Sequence, residues 1–470
     1  VSKSDNIHTP PENRGLIRGL GLREATSINM IDMVGIGPFN IIPLVIGFMG
    51  GPQCMLAWIV GALLAYMDGS VWAELGASYP AAGGSYVFLQ KVYGEKKWGA
   101  LFSFLFIWQT TIQAPLVIAS ASIGLTKYVN YLVPKPGMSD LEQRMVSGAV
   151  VLLLALLLYR KITQVGKISI LMGLLVAATM LWVIFTGFSH FHSSLLALPE
   201  GAFRMDGTFW NGLGSASTKT IYAFLGYYNV CHLGAEIKDP QKNIPKSIFL
   251  SVTGITLVYL LMQVSVLGAM PWQEAEQSSH VISTLFEKIY GSFSANLVSI
   301  LIVLVGLAGM FSAALGYSRI PYAAAVEGNF FKIFARLHPV RHFPHVSLLF
   351  LCGIAFVFSL FSNLSTVITI IVVMRIPVQF VGQAVGLIAF RYSNKDAPRP
   401  WRMKLFPLPA ILSILIWLFV LIQADPSVIL FAFGMIMTGI FLFLVRARIN
   451  SSFPFQNKVQ GVENQQNKTS

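Results

Sequence analysis

Two ionisable residues stand inside long apolar runs of this 470-residue chain. Asp32 precedes Gly35-Ile36-Gly37-Pro38-Phe39 by three residues, and Arg375 lies in Val373-Met374-Arg375-Ile376-Pro377. A charge at bilayer depth costs at least about 2.5–3.5 kcal/mol on insertion scales, so each is a candidate for function. Asp32 can bind a cationic group, relay a proton or pair with a buried base. Arg375 can meet a carboxylate or neutralise Asp32. Helix breakers accompany both. An interior glycine costs a helix about 1 kcal/mol against alanine and a proline about 3. A helix opened at Gly35 and Gly37 leaves backbone groups without partners, next to a carboxylate. That combination reads as a place where something binds.

Other polar side chains in apolar runs have plainer readings. Asp68 and Glu74 share the second run, and Glu74 is placed to brace cytosolic loops. Lys219 can snorkel to the outer interface. His232 reads as a packing histidine, and Gln109 and Gln113, one turn apart, either line a path or pack between helices. His338, His342 and His345 fall in a loop with Pro339, Arg341 and Pro344, and no cysteine or carboxylate completes a metal set. Cys54, Cys231 and Cys352 lie in apolar stretches without ligand spacing or a disulfide framework. No nucleophile elbow or triad is present, and Gly35-Ile36-Gly37 is no phosphate loop inside an apolar run. Neither an enzyme nor a cofactor is expected, and no metal site.

The elements that must position these residues follow from composition. The chain is 55% hydrophobic and 11% charged, against about 25% charged in soluble domains. It reads as an all-α polytopic membrane protein. Runs of about 20 apolar residues give twelve spans, near 24–49, 54–79, 98–127, 143–160, 166–188, 212–237, 247–270, 293–325, 345–362, 365–390, 407–423 and 427–446. Residues 1–23 carry Lys3, Arg14, Arg18 and Arg23 without an apolar core, so no cleaved signal peptide is expected there. With the N-terminus inside, about 26 of the 33 lysines and arginines fall on the cytosolic side. The net charge of +13 is therefore topology and not a nucleic-acid surface. Both termini are expected in the cytosol. Residues 87–94, amphipathic and too short to span, read as an interfacial helix.

The sixth span is interrupted like the first, at Tyr222-Ala223-Phe224-Leu225-Gly226. Interrupted helices in corresponding positions point to a transporter of inverted repeats. Five spans per repeat make the first and sixth equivalent. The expected fold is thus a five-plus-five inverted repeat, LeuT-like, with helices 1 and 6 discontinuous. Its parts are a cytosolic N-terminal tail (1–23), a core (24–390, repeats about 24–188 and 212–390), two peripheral helices (407–446) and a cytosolic tail (447–470).

Four motifs then carry a resemblance. Gly35-Ile36-Gly37-Pro38-Phe39, Ala73-Glu74-Leu75-Gly76 through Gly83-Gly84-Ser85-Tyr86, Phe224-Leu225-Gly226 with Glu236-Ile237-Lys238-Asp239-Pro240, and Ser318-Arg319-Ile320-Pro321-Tyr322-Ala323 with Glu327-Gly328-Asn329 stand in order. Over residues 15 to 445 the chain resembles the amino acid–polyamine–organocation superfamily of secondary transporters. The resemblance implies a substrate site of Met33, Gly35, Ile36, Gly37, Tyr222, Ala223, Leu225 and Gly226. Amides of Ile36 and Gly37 would meet a carboxylate. Carbonyls of Met33, Tyr222, Ala223 and Leu225 would meet an amino group, and Tyr222 would gate the outer path. Ile36 replaces the family's serine, Pro38 removes an amide, and Gly173 stands where many relatives carry a lysine. Ser312 is a possible sodium ligand, and Asp32 a rival proton carrier. The implied activity is secondary transport of amino acids, neutral ones first because no acid on helix 6 answers a cationic side chain. It would be driven by H+ or Na+ or by exchange, in the plasma membrane (the inner membrane if bacterial). The partners are then a small-molecule substrate and the lipid bilayer. A cationic amino acid or polyamine carrier using Asp32 is one alternative, and a non-transporting sensor another.

Overall fold

Unpaired backbone amides are not tolerated in hydrocarbon, so a chain this apolar must close its hydrogen bonds within helices. The computed structural model describes residues 16–134, 136–361 and 364–455, and among them it is helical, with no strand. Most of the two expected tails, residues 1–15 and 456–470, lies outside the described residues.

Helices α1 (Leu22–Val34) and α2 (Gly37–Met49) meet at Gly35 and Ile36 with a bend of 42°. Next come α3 (Met55–Ser78), α4 (Ser85–Tyr93), α5 (Gly99–Leu132), α6 (Asp140–Leu158) and α7 (Ile162–Ser189). Helix α6 opens on a capping box, where Ser139 Oγ accepts from Glu142 N and Glu142 accepts from Ser139 N. Helix α8 (Gly207–Phe224) stops and resumes as the single turn α9 (Asn229–His232). Beyond it are α10 (Pro240–Ala269), the short α11 (Trp272–Gln277) and α12 (Val281–Tyr290), then α13 (Ser292–Tyr317) and α14 (Arg319–Val326). The chain ends with α15 (His345–Phe361), α16 (Leu364–Arg375), a π-helical stretch at Ile376–Gly382, α17 (Gln383–Ser393), α18 (Leu408–Ile422) and α19 (Pro426–Ile449). The π-helical stretch follows Arg375 directly and contains Pro377.

This is a multi-pass membrane protein. By length and apolarity eight described helical stretches can cross a bilayer, and the bent α1–α2 pair makes a ninth. The sequence leads one to expect twelve. The difference has physical sources: α15 and α18 are apolar but only 17 and 15 residues long, and α8 ends at its break. Helix α4 also departs from expectation. It is buried along most of its length and packs against α5 and α17, so it is no helix lying on a surface.

Both breaks need glycine. Gly35 has φ +40° and Gly226 φ +118°, where side chains are disfavoured. A Cβ on Gly226 would lie 2.9 Å from the Asp32 carboxyl carbon. Helix α13 approaches the first break with Gly309, where a Cβ would overlap Gly35 Cα. Three glycines thus let three backbones cross. At the other end of this region Arg319 and Glu236 form a buried two-pronged pair at 2.8 and 2.9 Å. The Glu236 carbonyl also accepts from Gly19 N and Leu20 N, each at 3.0 Å. Residues before α1 are thereby tied to the segment after α9 and to α14.

Gly309→Val should lower the apparent melting temperature in detergent, by the roughly 1–3 kcal/mol typical of overpacking. Gly434→Val on α19, where no atom lies within 4 Å of the added Cβ, should leave it unchanged. Equal melting of the two variants would contradict the crossing described.

Candidate functional site

A helix that stops inside a protein leaves its last carbonyls and the next helix's first amides without helical partners. Here two such stops face each other. The first gives Asp32, Met33, Val34, Gly35, Ile36 and Gly37 to a cavity, and the second gives Tyr222, Ala223, Leu225 and Gly226. Val117 and Ala121 of α5, Gly309, Met310, Ala313 and Tyr317 of α13, and Ile371 and Arg375 of α16 close it. The cavity is small, about 50 Å³. The structure therefore brings Met33, Gly35, Ile36, Gly37, Tyr222, Ala223, Leu225, Gly226, Asp32 and Arg375 to one place.

The first turn of α2 points into this cavity with the positive end of its dipole, a setting that favours an anion. Pro38 occupies a first-turn position, where a missing N–H breaks no helical bond. Opposite, Met33 O and Ala223 O are not left bare. Tyr259 of α10 lies with its hydroxyl 2.7 Å from the first and 3.1 Å from the second. A carbonyl has two lone pairs, so each retains capacity for another donor. Tyr222 reaches across the cavity, its hydroxyl 2.9 Å from Ser120 Oγ on α5. Its ring lies over the first break, where a Cβ on Gly37 would meet Tyr222 Cε1 at 3.6 Å.

Arg375 is 1% exposed. Its Nη1 and Nη2 donate to the hydroxyls of Tyr228 and Tyr317, and the guanidinium carbon lies 5.9 and 5.4 Å from those two ring centres. Its Nε is buried with no hydrogen-bond partner among the described residues. Asp32 lines the same cavity, yet no ion pair joins it to Arg375 among the described contacts. The two charges share a space without neutralising each other by contact.

Ser312 sits outside this cavity. Its hydroxyl donates to Ile28 O at 2.7 Å and accepts from Asn229 Nδ2 at 3.0 Å, and its carbonyl accepts from the same amide at 2.8 Å. These oxygens link α1, α9 and α13. Lys219 does not extend to an interface: it is buried and donates to Thr369 on α16 at 2.8 Å. Gln109 and Gln113 are buried on α5 away from the cavity lining. His338 accepts backbone N–H bonds from Val340 and Arg341, a role inside its own loop.

Several residues that shape the site escape sequence reasoning. Asn29 donates to Tyr227 O at 2.8 Å and accepts from Val230 N at 2.9 Å, tying α1 to the second break. Tyr228, Tyr259 and Tyr317 are polar only at their tips, so in apolar runs they look like packing aromatics. Asn29, an amide three residues before Asp32, was the one readable signal.

A separate, wider polar pocket of about 540 Å³ lies between α2, α5, α6, α11 and α15. Lys127, Asp140, Arg144 and Glu276 line it. The Tyr222–Ser120 contact spans the inner cavity from α8 to α5.

A family model described as amino acid permease matches residues 20–445. The chain is 26% identical over 452 residues to Asc-type amino acid transporter 1 of Mus musculus, covering 92% of this chain and 82% of that protein. It is 24% identical over 421 residues to the serine/threonine exchanger SteT of Bacillus subtilis (strain 168), covering 87% and 91%. Large neutral amino acids transporter small subunit 2 of Oryctolagus cuniculus is 28% identical over 455 residues, covering 90% and 79%.

Removing Arg375 strands two tyrosine hydroxyls, while removing Asp32 strands no partner of Arg375. In double-mutant cycles on thermal stability in detergent, Asp32→Asn and Arg375→Met should couple more weakly than Tyr228→Phe and Arg375→Met, because the two charges act on each other across the cavity without contact. Tyr228→Phe and Arg375→Met should not add. Stronger coupling of Arg375 to Asp32 than to Tyr228 would contradict this geometry.

Proposed function

The chain belongs to the amino acid permease family, and we propose that it carries neutral amino acids across the plasma membrane by alternating access. The observation that supports this reading best is the small cavity between two facing helix breaks, with one acid and one base in its wall. A zwitterion matches such a wall. Its carboxylate is favoured at the start of α2 and by the unused Arg375 Nε. Its ammonium is favoured by the unwound carbonyls and by Asp32. The formal charges of Asp32 and Arg375 cancel, so a net-neutral solute leaves the buried charge balance unaltered. The names of the relatives indicate a transporter and not an enzyme.

Alternating access requires a closed state, and the cavity's small volume suits one. We assign Tyr222 as the outer gate, because its ring covers the first break and its hydroxyl contacts α5. The breaks at Gly35 and Gly226 then correspond across two inverted repeats of five spans, about 24–188 and 212–390. Helices α18 and α19 form the peripheral pair. On this reading twelve spans cross the membrane, the shorter α15 and α18 among them, with both termini in the cytosol. The driving force is a gradient of H+ or Na+, or exchange.

The test is purified protein in liposomes with a panel of labelled neutral, acidic and cationic amino acids and polyamines. Each is assayed with and without sodium and pH gradients, and with unlabelled amino acid inside. Saturable uptake of neutral amino acids is expected. Preferred uptake of a cationic amino acid or a polyamine would replace the substrate class, and binding without uptake in every condition would make the protein a sensor. Tyr222→Ala should slow uptake about tenfold or more at an unchanged level in the membrane, the order of effect seen when a gating contact worth about 1.4 kcal/mol is lost. Tyr222→Phe, which loses only the Ser120 bond, should slow it less.

A further inference from the structure

Outside the cavity, one carboxylate has no cation to balance it. Asp68, in the middle of α3, is 1% exposed. Its Oδ2 accepts from the Tyr227 hydroxyl at 2.5 Å and from Trp72 Nε1 at 2.9 Å. Its Oδ1 is buried and has no hydrogen-bond partner of normal geometry among the described residues, although the Trp417 indole faces the carboxyl. No lysine, arginine or histidine stands in ion-pair contact with it among the described residues.

The groups facing Asp68 are few. The second break offers Tyr227, and α18 offers the Trp417 indole. Helix α10 packs Ile248 against the adjacent Gly69. Helix α17 sends Arg391 to Glu74, six residues further along α3. Beyond the Trp72 ring lie Tyr228, stacked on it at 4.4 Å, and His232 at 5.8 Å. Arg375 lies beyond Tyr228 and is bonded to its hydroxyl.

We propose that Asp68 is a proton-binding site whose occupancy is coupled to the substrate cavity. This rests on the transport reading above and names its coupling ion. Sodium does not suit the site: cations of that kind need a shell of oxygens, and Asp68 is met by O–H and N–H donors. A proton suits it, because the carboxylate is buried, touches no cation among the described residues and keeps Oδ1 without a hydrogen bond of normal geometry, while the donors on Oδ2 hold the ionised form once the proton has left. In the step, one H+ from the aqueous phase on one side joins the carboxylate at Oδ1 and gives a neutral acid. The same proton leaves to the other side after the cavity reopens. No other bond changes.

The coupling route is short. Hydrogen bonds to a carboxylate are stronger than those to a neutral acid, so protonation loosens Tyr227 and Trp72 together. Tyr227 adjoins Gly226, the hinge of the second break, and its carbonyl is held by Asn29 of α1. Trp72 stacks on Tyr228, which holds Arg375 in the cavity wall. Both halves of the site feel the one carboxylate.

The test uses the full chain in liposomes holding a trapped pH dye, with labelled serine and leucine as probes. Wild-type uptake should rise several-fold under an inward acid gradient, and amino acid addition should acidify the lumen. Asp68→Asn should retain exchange against internal amino acid while losing both responses, and Asp68→Glu should restore them with a displaced pH profile. If Asp68→Asn fails to fold, Tyr227→Phe serves, since it leaves the carboxyl in place and must displace the pH profile of uptake. An unaltered profile in Tyr227→Phe overturns the proposal, as does gradient-driven uptake in Asp68→Asn. Wild-type uptake or exchange that ignores the proton gradient overturns the proposal alone. Absence of uptake and exchange in every condition overturns the transport reading itself.

Discussion

Everything in this molecule turns on the demand that no backbone amide or carbonyl be abandoned in hydrocarbon. Two helices stop inside the protein, and each stop exposes groups that cost several kcal/mol apiece if left dry and unpaired. The fold meets that demand by bringing the stops together and surrounding them with hydroxyls and amides. Tyr259 contacts the carbonyls of Met33 and Ala223. Asn29 serves a carbonyl and an amide of the second break at once. What those groups leave over is the polarity that remains in the cavity wall.

The supports around the cavity reach it from different sides and differ in kind. Toward α16, a guanidinium is held by two tyrosine hydroxyls and not by a carboxylate. Toward α3, a carboxylate is held by a tyrosine and a tryptophan and not by a base. Opposite charges are thus kept apart, each surrounded by aromatic residues. A direct salt bridge would have spent both charges on stability, and buried pairs often return little of it. The Glu236–Arg319 pair is different, since both prongs are made and the pair joins three chain segments.

The breaks were legible because glycine and proline carry their conformational meaning in any context. Gly35, Gly37 and Gly226 are poor choices for a continuous helix, and two of them adopt positive φ. Asp32 and Arg375 were legible because charge is rare in apolar runs. Their relation was not legible, because the groups that hold Arg375 are tyrosines, which look like packing until the tips are located. Spans were readable as apolar runs, yet run length did not reveal that α15 and α18 are short helices. The face of α4 misled for a related reason: an amphipathic pattern suits a membrane surface, but it suits equally a helix wedged against α5 and α17.

One contact also bears on how such a molecule can diversify. Where α13 crosses the first break, Gly309 and Gly35 leave no room for even a methyl group between backbones. That wall cannot be remodelled by single substitutions without parting the helices. Other parts of the wall are built from side chains, among them Val117 and Ala121 of α5 and Ile371 of α16. A change in the size of the cavity is therefore open through side chains such as these and Met310 and Ala313 of α13, while the glycine crossing itself leaves no such freedom.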